Sequence, residues 1–301
     1  MGHNHDHHHH HGSNNKKALL WAFLLISLFM FVEVIGGILT NSLALLSDAG
    51  HMLSDAAALG LSLLAVQFGQ KKADQSKTYG YKRFEILAAF INGLALIVIA
   101  ILIVWEAVKR FSSPPEIAGS GMLLISSIGL LVNIAAAFIL MMGDKEENLN
   151  VRSAFLHVLG DLLGSVGAII AALLIMFFNW GIADPIASLL VAVLIAVSGF
   201  RVTKDSFHVL MEGVPANIPV EKVKQKLEQI DGVCGIHDLH VWVITSDFPA
   251  LSCHIAIQKE FDGRTVIKAA NQILHDEFGL HHTTIQIDED GEDHSEHEHC
   301  N

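Results

Sequence analysis

Long apolar runs alternate with short polar joints along the first two thirds of this chain. Six runs approach the roughly 20 residues that a bilayer-crossing helix needs: Ala18–Leu39, Leu43–Phe68, Phe84–Val108, Met122–Met142, Ser153–Phe178 and Ile182–Val202. Beyond Arg201 the pattern changes, and residues 204–218 read as a linker containing Gly213 and Pro215. Pro219–Ile230 has helical periodicity and opens on proline, which suits a first helical turn. Val233–Thr245 and Ala250–Gln258 alternate as strands do, Arg264–Phe278 is amphipathic, and Thr283–Asp288 alternates again. The order αββαβ predicts a small α+β domain with helices on one sheet. The expected organisation is a His-rich tail over 1–17, an α-helical membrane domain of six transmembrane helices over 18–203, the linker, the α+β domain over 219–290, and an acidic, His-rich tail over 291–301.

Basic residues orient the helices, because loops rich in Lys and Arg stay on the cytoplasmic side. Lys16 and Lys17 precede the first run; Lys71, Lys72, Lys77, Lys82 and Arg83 lie in the second loop. Lys145 and Arg152 lie in the fourth, and Arg201 and Lys204 follow the sixth run. The opposite side holds only Lys109 and Arg110. The expectation is a multi-pass protein of the cell (plasma) membrane, surrounded by lipid, with both termini and the α+β domain in the cytoplasm.

Composition agrees. Hydrophobic residues make up 51% and charged ones 17%, against about 25% charged in soluble domains; mean hydropathy is +0.45. The net charge of −12 gathers at the C-terminus, in Asp288–Asp290 and Glu292–Glu298. No basic footprint for a nucleic acid is present. Cys234, Cys253 and Cys300 do not form a disulfide framework. The polar, His-rich N-terminus does not read as a signal peptide.

Ionisable side chains inside apolar runs are costly and point to function. The second run contains His51 and Asp55, and the fifth contains His157 and Asp161. Each pair is four residues apart and therefore shares one helix face. The second pair repeats the first 106 positions on, as an internal repeat placing a site between two halves would. Two imidazoles and two carboxylates supply a tetrahedral set that zinc accepts, and the carboxylates neutralise a dication. Such ligands favour zinc, cobalt, manganese or iron over Cu(I), with cadmium also admitted. They must be deprotonated to bind metal, so metal and proton compete, which is a basis for metal–proton antiport. The competing explanation is that each His–Asp pair only stitches helices together. Asp48 is read as off the His51/Asp55 stripe, serving ion access or packing; Glu33 and Asn133 are assigned to packing or a water cavity.

The run Asn41–Asp55, the segment Tyr79–Glu85, His157–Asp161, His237–Trp242 and Ser252–His254 together resemble the cation diffusion facilitator family, in its cadmium–cobalt–zinc efflux type, over about residues 17–289. The resemblance implies a homodimer with a metallochaperone-like cytoplasmic domain, exchanging Zn²⁺ for H⁺ by alternating access, with a transport site of His51, Asp55, His157 and Asp161. Histidine at position 51 implies a preference for zinc over cadmium. His237 and His254 match positions that hold metal in the cytoplasmic domain; His240 and Asp288 are further candidate ligands there. Arg83 and Glu212 match a basic–acidic pair that ties helices to this domain in some relatives. The loop from Gln70 to Arg83 contains no histidine, so the additional loop site of some relatives is not expected. Histidines 3, 5 and 7–11, with those of the last tail, would gather metal near the membrane.

Other classes fit less well. A zinc protease would need His-Glu-x-x-His, and an ATP motor Gly-x-x-x-x-Gly-Lys-Ser/Thr; neither occurs, so no enzyme activity and no bound cofactor are expected beyond the transported ion and zinc in the cytoplasmic domain. A channel would not close four ligands around its ion. A membrane metal sensor signalling through its cytoplasmic domain is the alternative.

Overall fold

The computed structural model describes residues 12–68, 73–143, 148–245 and 248–289; side chains of 12–18, 62–68, 140–143, 148–161 and 289 fall outside the description. Six long helices come first: α1 (Gly12–Thr40), α2 (Leu43–Phe68), α3 (Arg83–Ser112), α4 (Gly119–Gly143), α5 (Asn148–Phe178) and α6 (Ala183–Leu210). Four stretches among the described residues are long and apolar enough to cross a membrane: Leu19–Thr40, Arg83–Ser112, Gly119–Ile139 and Ala183–Leu210. Leu162–Phe178 of α5 is a shorter apolar stretch. Helix α6 runs on through Lys204 to Leu210, where the sequence reading began the linker. Between Arg201 and Leu210 the sequence holds no glycine or proline, and Gly213 follows.

The chain divides into two compact units, one reaching Lys72 and resuming over Ala88–Lys204, the other made of Ala73–Leu87 and the chain from Asp205. In the first unit many large apolar side chains face outward: Leu28, Phe31, Ile38, Leu102, Phe177 and Phe200 are all exposed. Its interior is rich in small residues, among them Ala22, Ala49, Ala100, Ala136 and Ala172. That inversion of a water-soluble protein suits lipid, where small side chains let helices approach and greasy ones cost nothing outside. Helices α3 and α6 nearly touch backbones: a Cβ on Gly93 would lie 3.0 Å from the Gly199 carbonyl oxygen.

Helix α1 turns into α2 through Asn41, at a positive φ of 60° that asparagine tolerates better than most residues. Asp184, at the start of α6 and fully buried, then secures the first turn of α2. Its carboxylate accepts from Ser42 Oγ at 2.6 Å, Leu43 N at 2.8 Å and Ala44 N at 3.1 Å. Arg110 of α3 adds an ion pair at 3.6 Å. Asp184 thus supplies acceptors to amides that a helix start leaves without partners. Truncating it leaves those buried donors without an acceptor, at about 1–3 kcal/mol for each one unsatisfied, and takes one partner from Arg110, which keeps Glu106 at 3.2 Å and the Asn41 carbonyl at 2.6 Å. Asp184→Ala should therefore lower the thermal midpoint of purified protein by several degrees, with Asp184→Asn intermediate. An unchanged midpoint would refute the clamp.

The second unit follows the αββαβ order: α7 (Val220–Glu228), β1 (Val233–Val243), β2 (Pro249–Ile257), α8 (Gly263–Phe278) and β3 (His282–Glu289). Strand β2 is central, antiparallel to β1 and parallel to β3. Asp262 caps α8 by accepting from Thr265 N at 3.2 Å. Gly279, at φ 65°, ends the helix, and the amide of Leu280 reaches back to the Leu274 carbonyl at 2.9 Å, a left-handed stop that glycine takes without strain. Val223 and Leu227 of α7, and Val266, Ala270 and Leu274 of α8, cover Leu251, Cys253 and Ile255 on one sheet face.

Candidate functional site

Two groups of sequence-predicted residues are to be located, one in each unit. In the first unit, α2 carries Asp48, His51 and Asp55. Residues three and four apart lie on one helix face, so positions 48, 51 and 55 form a single stripe. Asp48 therefore belongs with His51 and Asp55, contrary to the expectation that it lies off their face. Asp48 is fully buried, Asp55 is 8% exposed, and His51 is partly buried. Helix α5 packs against α2 and α4, and α1 against α2 and α4. His157 and Asp161 lie four residues apart on α5, with their side chains outside the described residues. What the described backbone gives is adjacency: the helix bearing one His–Asp pair lies beside the helix bearing the other.

The sequence reading missed a polar chain across this bundle. Asn133 Nδ2 of α4 donates to Ser165 Oγ of α5 at 3.2 Å, and Ser165 Oγ donates to Asp48 Oδ2 at 3.1 Å. Asn133 is thus a hydrogen-bonding partner in a network rather than a packing residue. Its sequence signal was the one that identified His51: a polar side chain inside an apolar run.

In the second unit, three of the four predicted cytoplasmic ligands converge. His237 of β1 is the cross-strand partner of His254 of β2, and Asp288 of β3 pairs beside them with Ala256. Asp288 Oδ2 lies 2.9 Å from His254 Nδ1 and 3.2 Å from His237 Nε2. Gln286 Nε2 donates to Asp288 Oδ1 at 3.1 Å, a partner that orients the carboxylate as outer groups do at metal sites. The three potential ligand atoms lie within 4.8 Å of one another, the only such trio among the described residues. The side chain of Asp288 is 4% exposed, while those of His254 and His237 are 30% and 41% exposed. The acid therefore sits at the base of a shallow cup whose rim is two imidazoles.

A bulge builds this cup. The register slips between His237 and His240, and Asp238 takes a positive φ of 48°, as the extra residue of a bulge can. His240 pairs with Ser252 and is not brought into the trio. It lines instead a cavity of about 1170 Å³ bounded by Tyr79, Arg83, Glu212 and Trp242. His281 and His282 make ring contacts, the first with His275 and the second with Tyr79 and Phe248.

Cys253 points the other way, because successive strand residues alternate faces. It is 1% exposed in the core, and burial pushes its thiol up to about 11. Thiolate is the reactive and ligating form, so Cys253 stays a neutral thiol at pH 7 and gains reactivity only as pH approaches that value. Site-resolved mass spectrometry after brief maleimide treatment at pH 7 should find exposed Cys234 modified well before Cys253. Equal labelling would contradict the packing described.

Arg83 and Glu212 form an ion pair of 3.1 Å, with side chains 40% and 63% exposed. At that exposure the pair contributes less than about 1 kcal/mol. Thr245 Oγ1 donates to Glu85 Oε2 at 3.3 Å nearby, and the Lys82 ammonium lies 4.0 Å from the Phe248 ring centre.

Residues 19–211 match the family model of the cation efflux transmembrane domain, and residues 215–290 match that of the cation efflux protein cytoplasmic domain. The chain is 53% identical over 292 residues to the cadmium, cobalt and zinc/H(+)-K(+) antiporter of Bacillus velezensis, covering 96% of this chain and 92% of that one. It is 45% identical to the zinc transporter ZitB of Escherichia coli, covering 96% and 93%. It is 39% identical to the metal cation efflux system protein CzcD of Cupriavidus metallidurans, covering 95% and 90%.

Proposed function

The chain belongs to the cation efflux (cation diffusion facilitator) family, and on that footing we propose that it exports divalent metal cations by antiport, zinc first, with cobalt and cadmium also carried. It is a multi-pass membrane transporter, not an enzyme. The observation that carries the reading is the pair of neighbouring helices, α2 and α5, each bearing His and Asp four residues apart inside an apolar span.

His51, Asp55, His157 and Asp161 hold the ion through two nitrogens and two oxygens. Two carboxylates balance the charge of a dication where the surroundings are apolar. Protons and metal compete for the same atoms, so the carrier returns with protons where it left with metal. Six helices span the plasma membrane, with both termini and the α+β domain in the cytoplasm, as the basic loops direct. Two copies associate, in keeping with the matched cytoplasmic domain. His237, His254 and Asp288 take a zinc ion in that domain, a separate and more accessible site than the one in the bundle. The His-rich termini, outside the described residues, collect cytoplasmic metal.

The test is Zn²⁺ uptake by the purified protein in proteoliposomes with a pH gradient imposed across the membrane. An acidic lumen should drive uptake severalfold faster than equal pH on both sides. A rate indifferent to the gradient would sink proton antiport.

A further inference from the structure

The His–Asp pairs leave one buried acid unexplained. Glu33, in α1, has none of its surface exposed, and among the described residues no hydrogen-bonding group other than the Asp48 carboxyl stands against its oxygens. The group beside it is the carboxyl of Asp48 on α2, also fully buried. Asp48 is fixed from its far side by Ser165 of α5, which Asn133 of α4 holds in turn. Two glycines keep the space around the acids open. A Cβ at Gly129 would lie 2.7 Å from Glu33 Oε1, and a Cβ at Gly164 would lie 2.7 Å from Asp48 Oδ1. The bundle is shaped around these oxygens on two sides.

Two ionised carboxyls side by side in an apolar interior are costly unless a positive charge joins them. One divalent cation balances both. We propose that Glu33 and Asp48 form a second intramembrane divalent-cation site, a transit position next to His51 and Asp55. Asp48 stands three residues N-terminal to His51 on the same stripe of α2, a rise of about 4.5 Å. An ion leaving the His–Asp ligands toward the start of α2 meets these oxygens next. Carboxylate oxygens without imidazole suit hard cations and hold zinc more loosely. Loose binding is what a position of passage needs, since an ion must also leave it. The transit role rests on the transport reading above; the existence of the site does not.

The probe is Mn²⁺, which accepts oxygen ligands and loses its free six-line electron paramagnetic resonance signal on binding. It is titrated into full-length protein in nanodiscs carrying Asp55→Ala, which weakens the neighbouring site. Adding Glu33→Gln should remove one bound equivalent per protomer. Gly129→Ala, which keeps the charge and places a methyl against Glu33, should weaken the same equivalent about tenfold or more. Superimposable titrations with and without Glu33→Gln, in protein that elutes as the parent does, would overturn the proposal and leave the acids as a proton-holding pair. Should Glu33→Gln fail to fold, Gly129→Ala decides by the same criterion. Failure of zinc uptake in proteoliposomes would instead strike the transport reading and leave this titration standing, so the two can fail separately.

Discussion

Asp55→Ala and Asp161→Ala should each reduce Zn²⁺ uptake by the reconstituted protein at least a hundredfold, with the cytoplasmic domain still folded. Each substitution removes one of two carboxylates from the proposed four-ligand site. The ion then keeps three ligands and one neutralising charge where water is scarce, and a dication with a single negative partner in an apolar interior is strongly disfavoured. The loss should exceed that of a surface carboxylate such as Asp205, whose replacement should leave uptake near the parent rate. Asp55→Glu should retain more activity than Asp55→Ala, since the charge survives and only the reach changes. If Asp55→Ala and Asp161→Ala carried zinc at the parent rate, the His–Asp pairs would be reduced to helix-to-helix pairing.

The second large effect belongs to the cytoplasmic cup. Asp288→Ala should weaken Zn²⁺ binding there by more than about a hundredfold, beyond what loss of an outer partner such as Gln286 produces. Asp288 Oδ2 lies within 3.2 Å of both imidazoles and is the one anionic group of the trio. Chelator competition on full-length protein carrying Asp55→Ala isolates this site from the intramembrane one. Asp288→Asn separates charge from shape: it keeps an oxygen in place, so an intermediate affinity is expected. His240→Ala should leave the affinity unchanged, because His240 faces the neighbouring cavity rather than the cup. Equal losses for His240→Ala and Asp288→Ala would mean that the trio is not the site.

Much of this molecule was legible before its structure. The elements from α7 to β3 emerged nearly at their observed ends, because a proline start, strict alternation and a glycine stop are local signals. Strand alternation alone turns Cys253 away from His254 and into the core. The bulge at Asp238 was not legible. Nothing in Gly235–Trp242 announces the extra residue that turns both His237 and His240 out of the core, so His240 stayed among the further candidate ligands. Helix α6 outran its apolar segment because nothing between Arg201 and Leu210 breaks a helix, whereas hydropathy ends where lipid would. Asp48 was set aside although its spacing from His51 and Asp55 already placed it on their face. The role of Asp184 as a cap in trans for α2 depends on a contact 142 positions away in sequence. Long-range partners of that kind leave no local periodicity.

Coupling of metal to proton is the claim on which the rest of the account hangs. The most direct measurement is lumenal pH, followed with a trapped indicator dye in proteoliposomes that begin with equal pH on both sides. On external addition of Zn²⁺, the account predicts that the lumen of wild-type vesicles turns alkaline as protons leave in exchange for entering zinc, and that vesicles bearing Asp55→Ala do not respond. Zinc accumulation in wild-type vesicles without any lumenal pH change would contradict it.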